Sequence, residues 1–387
     1  MGLDGRRVYL DWNATAPLRP EARAAMLEAM DTLGNPSSVH AEGRAARAIV
    51  ERARGQVASL TGCDADEIVI TSGASEAASS VDSRWRNAQG TIIDTELEHD
   101  CMSLARSGCN LHVDVVPDVS GRVDPDRLLA AVPDLGSKAP RRISVTAANS
   151  ETGVLNEIAP IGAFAREHDI EFVSDAVQAW GRMEISFRDS LADFVLCSAH
   201  KIGGPKGVGC LIERRDHPFV PSSEAPIVFG GGQEQGRRSG TENVIGIAGF
   251  GAAAVAAKRD LEAGLWDRVE KLRNILEEGL EAAAPDLIIF GRDAPRLPNT
   301  SCFAVPGWKG ETQVMQLDLA GFAVSAGSAC SSGKVRESRV LRAMGFDSLT
   351  ASSAIRVSLG PTTTEAQIRA FLTAWTTLYR KRAIRAA

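Results

Sequence analysis

Between about Ile68 and Ile212 the chain alternates short apolar runs with stretches whose apolar residues recur at helical spacing. EIVITSG, GTIID, RRISVTAAN, IEFVSDA, DFVLCSA and GVGCLIE are rich in Val and Ile and end in small or polar residues, as strands do. IAPIGAFAREHD, between two of them, carries its apolar positions on one helical face. Strands joined through helices need crossover connections, which predicts an α/β fold with a mainly parallel sheet sandwiched by helices. Ligands in such sheets collect at the carboxyl ends of the strands. The polar residues that could carry chemistry fall at those ends.

After Thr241 the pattern changes. Asn243 to about Ala284 is rich in Ala, Glu and Leu and predicts one or two long helices, with Gly264 as a break. LIIFG, TSCFAVPG and SSAIRVSLG read as strands of a smaller α/β unit, and TTTEAQIRAFLTAWTTLYRKR reads as a closing helix with a Thr cap. The expected plan is a large cofactor domain over residues 15–255 and a small domain made of 1–14 and 256–387. No internal repeat or low-complexity tail interrupts it.

Composition narrows the function classes. With 387 residues, 44% of them hydrophobic, the chain can bury a sizeable core. A net charge of -6 argues against a nucleic-acid binder. MGLDGRRVYLDWNATAP holds no apolar stretch of signal-peptide length, and MGLDGR lacks the Ser or Thr of a myristoylation signal. The longest apolar run, around Val244 to Ala257, is broken by glycines and too short to span a bilayer. The expectation is a soluble cytoplasmic protein with no membrane partner. None of the seven cysteines forms a CxxC pair, so neither a metal site nor a disulfide framework is expected. Most of them read as inert core residues.

Lys201 lies in SAHK, between the strand DFVLC and the glycine-rich GGPKGVG. A lysine at a sheet's carboxyl edge suits a Schiff base to pyridoxal phosphate, although the tetrapeptide alone fits an ordinary loop lysine better. Asp175 closes the strand IEFVSDA, where a carboxylate could pair with a protonated pyridine nitrogen or simply cap a helix. Gln178 lies close enough to reach the ring's phenolic oxygen. In TSGASE, Ala74 and Ser75 open a helix whose free N–H groups could hold a phosphate; a tight strand–helix turn needs the same residues. His99, in ELEHD, could contact the ring or serve as a surface cap. GGGQEQGRRSGTEN is too polar for core, and its Thr241 could reach a phosphate across a subunit interface. Arg356 is a charge inside the apolar strand SSAIRVSLG; a substrate carboxylate or a structural salt bridge would offset its burial. SAGSACSSG holds Cys330 among eight Ser, Ala and Gly residues. A core cysteine rarely sits in such a segment, which points to an exposed, attacking thiol that Lys334 and Arg336 could help ionise.

In order along the chain, YLDWNATAP, GNPSSVH, TSGASE, EHD, NSETG, DAVQAWG, SAHKIGGPKGVGCL, GGGQEQGRRSGTEN, SAGSACSS and IRVSLG resemble the cysteine desulfurases of the NifS/IscS type. These are class V aminotransferases of the fold-type I pyridoxal-phosphate group. The resemblance runs from about residue 8 to residue 361, nearly the whole chain. It implies Lys201 as the Schiff-base lysine, Asp175 on the pyridine nitrogen, Gln178 on the ring oxygen and His99 on the ring. Ala74, Ser75, Ser198 and His200 would hold the phosphate, with Thr241 arriving from the second subunit of a homodimer. Asn13 and Arg356 would bind the carboxylate of L-cysteine. Cys330 would carry the persulfide on the longer loop typical of this group and pass sulfur to an acceptor protein, such as an iron–sulfur scaffold. The family usually has two asparagines before the Glu of N-N-E-[TI]-G, the second contacting the ring oxygen. Here Ser150 holds that place, beside Asn149.

Two other readings use the same residues. A transaminase, selenocysteine lyase or kynureninase-like relative would need Lys201 without Cys330. A non-catalytic scaffold would keep the fold without the lysine, yet Lys201 is present. No G-x-G-x-x-G follows the first strand, which leaves a nicotinamide-binding protein poorly supported.

Overall fold

The computed structural model describes residues 3, 5–85, 90–102, 111–132, 140–215, 227–327 and 337–386. The first part of the chain runs β1 (Val8–Tyr9), α1 (Pro20–Met30), α2 (Ala41–Thr61), β2 (Ile68–Thr71), α3 (Ala74–Ser83), β3 (Thr91–Thr95), β4 (Leu111–Val115) and α4 (Pro125–Ala130). Next come β5 (Arg141–Ser144), α5 (Ile158–Glu167), β6 (Glu171–Asp175), α6 (Phe187–Ser190), β7 (Phe194–Ser198) and β8 (Gly209–Glu213). The remainder is α7 (Val244–Glu262), α8 (Leu265–Ala283), β9 (Ile288–Ile289), β10 (Thr300–Ala304), α9 (Gly310–Leu319), β11 (Phe322–Ala323), β12 (Ser325–Ala326), α10 (Arg339–Ala343), α11 (Ser348–Ala351), β13 (Ala354–Ser358) and α12 (Glu365–Ala386).

Among the described residues the large sheet has seven strands in the order β2-β8-β7-β6-β5-β3-β4. Only β8 runs against its neighbours; the β7–β6–β5–β3–β4 ladder is parallel throughout. Central strands β5, β6 and β7 are buried along their whole length, because helices cover both faces of a parallel sheet. The fold is thus the expected α/β sandwich. Strand β4 was not anticipated: it is an edge strand with Leu111 and Asp114 exposed, so no continuous apolar run marks it.

Local chemistry sets the helix limits. The His40 side chain accepts from Gly43 N–H to open α2, and Gly62 closes it in the left-handed conformation at φ 68°. Gly264 separates α7 from α8 at φ 64°, as the sequence suggested. Helix α7 is buried on most of its surface and packs on α1 and α2. Gly251 permits this, since a Cβ there would lie 2.6 Å from the Ala53 Cα. Thr364 Oγ accepts from Gln367 N–H at 3.3 Å and caps α12. No helix among the described residues is long and apolar enough to cross a membrane.

A second sheet, β12-β13-β10-β9, is antiparallel, and β1 pairs in parallel with β11. Its core joins Trp266, Leu276, Phe303, Phe322, Phe371 and Trp375 to Val8 and Leu10 of the N-terminal strand. The start of the chain is therefore packed against its last third. An Asp11–Ser358 bridge carries the N-terminal strand on toward the carboxyl edge of the large sheet.

An ion pair behind the large sheet is buried on both sides. Arg142 on β5 is 0% exposed and donates to Asp82 of α3 at 2.7 Å and to Ser144 Oγ at 3.1 Å. Removing Asp82 leaves the guanidinium in low dielectric with the longer contact to Glu171, 3.9 Å away. Asp82→Ala is expected to lower stability by roughly 3–5 kcal/mol, and Asp82→Leu combined with Arg142→Met recovers only part of the loss, because the buried Glu171 then lacks the guanidinium. Urea unfolding followed at the tryptophans measures both.

Candidate active site

Three chain turns meet at the carboxyl edge of the large sheet and enclose a cavity of about 570 Å³. Strand β6 delivers Asp175 and the 176–178 turn, β7 delivers Ser198 with His200 and Lys201, and β2 delivers Ser72 and the start of α3. The N-terminal loop supplies Asn13 to Thr15, and β13 supplies Arg356 from the second sheet. Gly209 lets the α3 turn sit tightly against the sheet, for a Cβ there would lie 2.7 Å from the Gly73 Cα. Ala74 and Ser75 occupy the first turn of α3, where backbone N–H groups have no acceptor within the helix.

Asp175 is 8% exposed, and its Oδ1 accepts from Val177 N–H at 2.9 Å. Burial pushes its carboxyl above the ordinary value, while His99, the Val177 N–H and Lys201 pull the other way. Lys201 Nζ donates to the Asn13 and Ala14 carbonyls, the latter at 3.0 Å. His99 Nδ1 accepts from Cys101 N–H at 3.2 Å and lies 3.1 Å from the Cys101 thiol. Behind it, burial pushes the Glu98 carboxyl up to about 8, and Glu98 Oε2 has no hydrogen-bond partner.

Arg356 is 6% exposed. Its Nη1 donates to Ser150 O and its Nη2 to Asp11 Oδ1, both at 2.8 Å, while the buried Nε has no partner. Ser325 Oγ holds the other oxygen of Asp11, and the Tyr9 hydroxyl donates to the Asp11 and Thr15 carbonyls. Asn13 is drawn into the same knot. Its Nδ2 donates to Thr300 Oγ1 at 2.9 Å and to Ser150 O at 3.3 Å, and its Oδ1 accepts from Asn299. Gln178 Nε2 donates to Asn13 O at 3.1 Å. The cavity can thus hold an anion at Arg356 and at the α3 N-terminus, with an amine and a carboxyl between them.

With this geometry in view, the sequence profile described as "Aminotransferase class-V" matches residues 8–371. The chain belongs to that family. Among its relatives is a cysteine desulfurase of Enterobacter agglomerans, 40% identical over 373 residues that cover 94% of this chain and 90% of that protein. A cysteine desulfurase IscS of Dictyoglomus turgidum is 37% identical over 371 residues, covering 93% and 91% of the two chains. A solved NifS-like protein from Rickettsia africae superimposes with a TM-score of 0.87 at 32% identity, covering 97% of this chain and 100% of that one.

Of the residues named from sequence, Asn13, Ala74, Ser75, His99, Ser150, Asp175, Gln178, Ser198, His200, Lys201 and Arg356 all line the one cavity. Asn149 does not. Its Oδ1 accepts from the Glu151 and Thr152 N–H groups and its Nδ2 donates to Leu97 O, so its amide builds the turn that presents Ser150. Thr241 is exposed and outside the cavity of a single chain. Cys330, Lys334 and Arg336 lie outside the described residues. Sequence reasoning missed Asp11, Glu98, Cys101 and Arg182. Cys101 was grouped with the inert core thiols, yet it lines the cavity beside His99. Cys197, Cys210 and Cys302 are buried, as expected of core residues.

His200 offers a direct probe of this electrostatic setting. Burial, then Lys201, Lys206 and Arg182, pull its imidazole down to about 4, so it is neutral at physiological pH. Between that value and the ordinary one of about 6.5 the unfolded chain binds the extra proton. The stability linked to neutral His200 is therefore complete above about pH 6.5 and is lost as pH falls toward 4. His200→Gln is expected to flatten that part of the stability–pH curve, and NMR titration of the imidazole checks the depressed midpoint directly.

Proposed function

We propose that this protein is a pyridoxal-phosphate-dependent cysteine desulfurase, converting L-cysteine to L-alanine and passing the sulfur on as a persulfide. The observation that carries the reading is the convergence in one cavity of Lys201, the desolvated Asp175 and an Arg356 whose buried Nε lacks a partner. The names of the relatives point the same way.

The residues present fit the cofactor. A carboxyl as buried as Asp175 is offset by a cationic ring nitrogen. The Ala74 and Ser75 N–H groups, with Ser198 and neutral His200, offer donors to a phosphate at a helix N-terminus. Gln178 would donate to the ring oxygen, His99 would contact the ring, and Ser150 would stand where the family usually has asparagine, on the turn that Asn149 builds. When bound, pyridoxal phosphate supplies an electron sink that labilises the Cα proton of an amino acid and its Cβ–S bond.

The protein's own residues then do the following. Arg356 receives the substrate carboxylate on its Nε edge, and Asn13 yields its longer bond to Ser150 O to join it. Lys201 holds the cofactor and afterwards moves the proton from Cα. The Cys330 thiolate attacks the substrate sulfur; the S–S bond forms as the C–S bond breaks, and the bonding pair stays with the carbon that becomes alanine. An acceptor thiol next takes the sulfur and regenerates Cys330. That acceptor belongs to iron–sulfur cluster assembly, tRNA thiolation or thio-cofactor synthesis. We assign residues 15–255 to the cofactor domain and 1–14 with 256–387 to the small domain. We also propose a cytoplasmic homodimer in which the exposed Thr241 reaches the partner's phosphate site.

The test begins with the visible spectrum of the purified protein. A band at roughly 390–430 nm is expected, with alanine appearing on addition of L-cysteine. Lys201→Ala loses the band and cuts turnover by about 10³ or more. Cys330→Ala keeps the band and loses both persulfide and alanine. No band in the wild type would sink the reading, and alanine formation that survives Cys330→Ala would move it to a lyase or transaminase.

A further inference from the structure

Arg182 is a buried cation that the proposed chemistry does not use. It follows the 176–178 turn, is 3% exposed and does not line the cavity. Its Nη1 donates to the side-chain oxygen of Gln178 and, at 3.2 Å, to the Gln178 carbonyl. Its Nη2 donates at 3.3 Å to the carbonyls of Trp12 and Lys201. All of these acceptors are neutral. Among the described residues no carboxylate pairs with Arg182, and the charge that bears on it is another cation, Arg356. Burying a guanidinium among neutral groups is costly unless something else is gained or an anion arrives with a ligand.

The contact with Gln178 has a definite chemical consequence. Arg182 has donors only, so the Gln178 atom facing it must be the oxygen. The amide is thereby oriented, and its NH2 group points the other way: one N–H reaches Asn13 O and the second remains for the cavity that Gln178 lines. Without Arg182 the amide could turn over and offer an acceptor instead. The same guanidinium lies behind the Lys201 backbone. Among the described residues, the charged and titratable groups that line the cavity with Lys201 are Asp175, His99 and Cys101 from the sheet edge, Glu76 from α3, His200 and Lys206 from its own turn, and Arg356 from β13. Of the two acids that line the cavity, Glu76 is held by Arg238 at 2.9 Å and Asp175 is desolvated, so the local field is set by cations, of which Arg182 is the most deeply enclosed.

We infer that Arg182 is a positioning residue: it locks the Gln178 amide with its NH2 toward the cavity and keeps the ground behind Lys201 electropositive, favouring an oxyanion on the bound ring and a neutral lysine nitrogen. This rests on the cofactor reading above and assigns the residue that makes the ring-oxygen contact work without touching the ring.

The holoenzyme's visible absorbance, titrated with pH, reads the effect without reference to turnover. Removing a nearby positive charge raises the midpoint of a cationic nitrogen, so Arg182→Met is expected to move it up by about one unit. Arg182→Lys keeps the charge and stays close to the wild type. Gln178→Leu also moves the midpoint up, and adding it to Arg182→Met gives less than the sum of the two shifts, because Arg182 acts partly through Gln178. Should Arg182→Met fail to fold, Arg182→Gln, neutral but still polar, is read in its place. A midpoint unchanged in the neutral variant, equal shifts in the lysine and neutral variants, or full additivity with Gln178→Leu overturns the inference. Absence of any band in the wild type is a different failure, that of the cofactor reading.

Discussion

A single guanidinium ties the parts of this molecule together. Arg356 leaves the antiparallel sheet of the small unit, grips Asp11 of the N-terminal strand and holds the Ser150 carbonyl of the large unit. Each contact ends on a group fixed by something else: Asp11 by Ser325, Ser150 by the turn that Asn149 organises. The cavity wall is therefore assembled by hydrogen bonds that cross between two hydrophobic cores, each of which forms from its own apolar residues. Loss of the crossing would leave both cores intact and the cavity open on one side. Rigidity of this kind is what an active centre needs, because side chains held by packed neighbours keep their geometry through a reaction.

The electrostatic character follows from the same assembly. Lys201, Lys206 and Arg356 line the cavity with the buried Asp175, and burial first, then Lys201, Lys206 and Arg182, keeps the imidazole of His200 neutral. A chain with net negative charge has thus concentrated positive charge at one sheet edge. Small anions are drawn into such a pocket. The buried Glu98, pushed up to about 8 behind His99, is held in its protonated form by the same lack of solvent.

Much of the site could be read from the chain because it sits where strands end. Asp175 and Ser198 close apolar runs, and Lys201 follows three residues after one, so the hydrophobic pattern locates them without any knowledge of contacts. Arg356 was visible for the opposite reason, as a charge where the pattern demanded none. What escaped were residues whose importance lies in a distant partner. Asp11 looks like an ordinary polar residue until Arg356 is seen 2.8 Å away, and Arg182 looks like a turn arginine until its neighbours prove to be neutral. Cys101 escaped because its place in the cavity depends on a two-residue turn that folds its sulfur back toward His99. Strand β4, half exposed at the sheet edge, lacked the apolar run that betrayed its neighbours.

The placement of the N-terminal strand has a bearing on how the molecule is made. Lys201 donates its hydrogen bonds to the carbonyls of Asn13 and Ala14, yet the strand leading to them is seated by pairing with Phe322–Ala323 and by the bridge to Ser358. Residues 8–11 thus wait for residues 322–358 before they have a place to bind. Until more than three hundred residues have been synthesised, the large sheet can fold while its lysine faces water. Closure of the reactive centre is in this way deferred until residues 322–358 have been made, and a chain cut short of them is left with the scaffold of the site but without the wall that residues 8–15 supply.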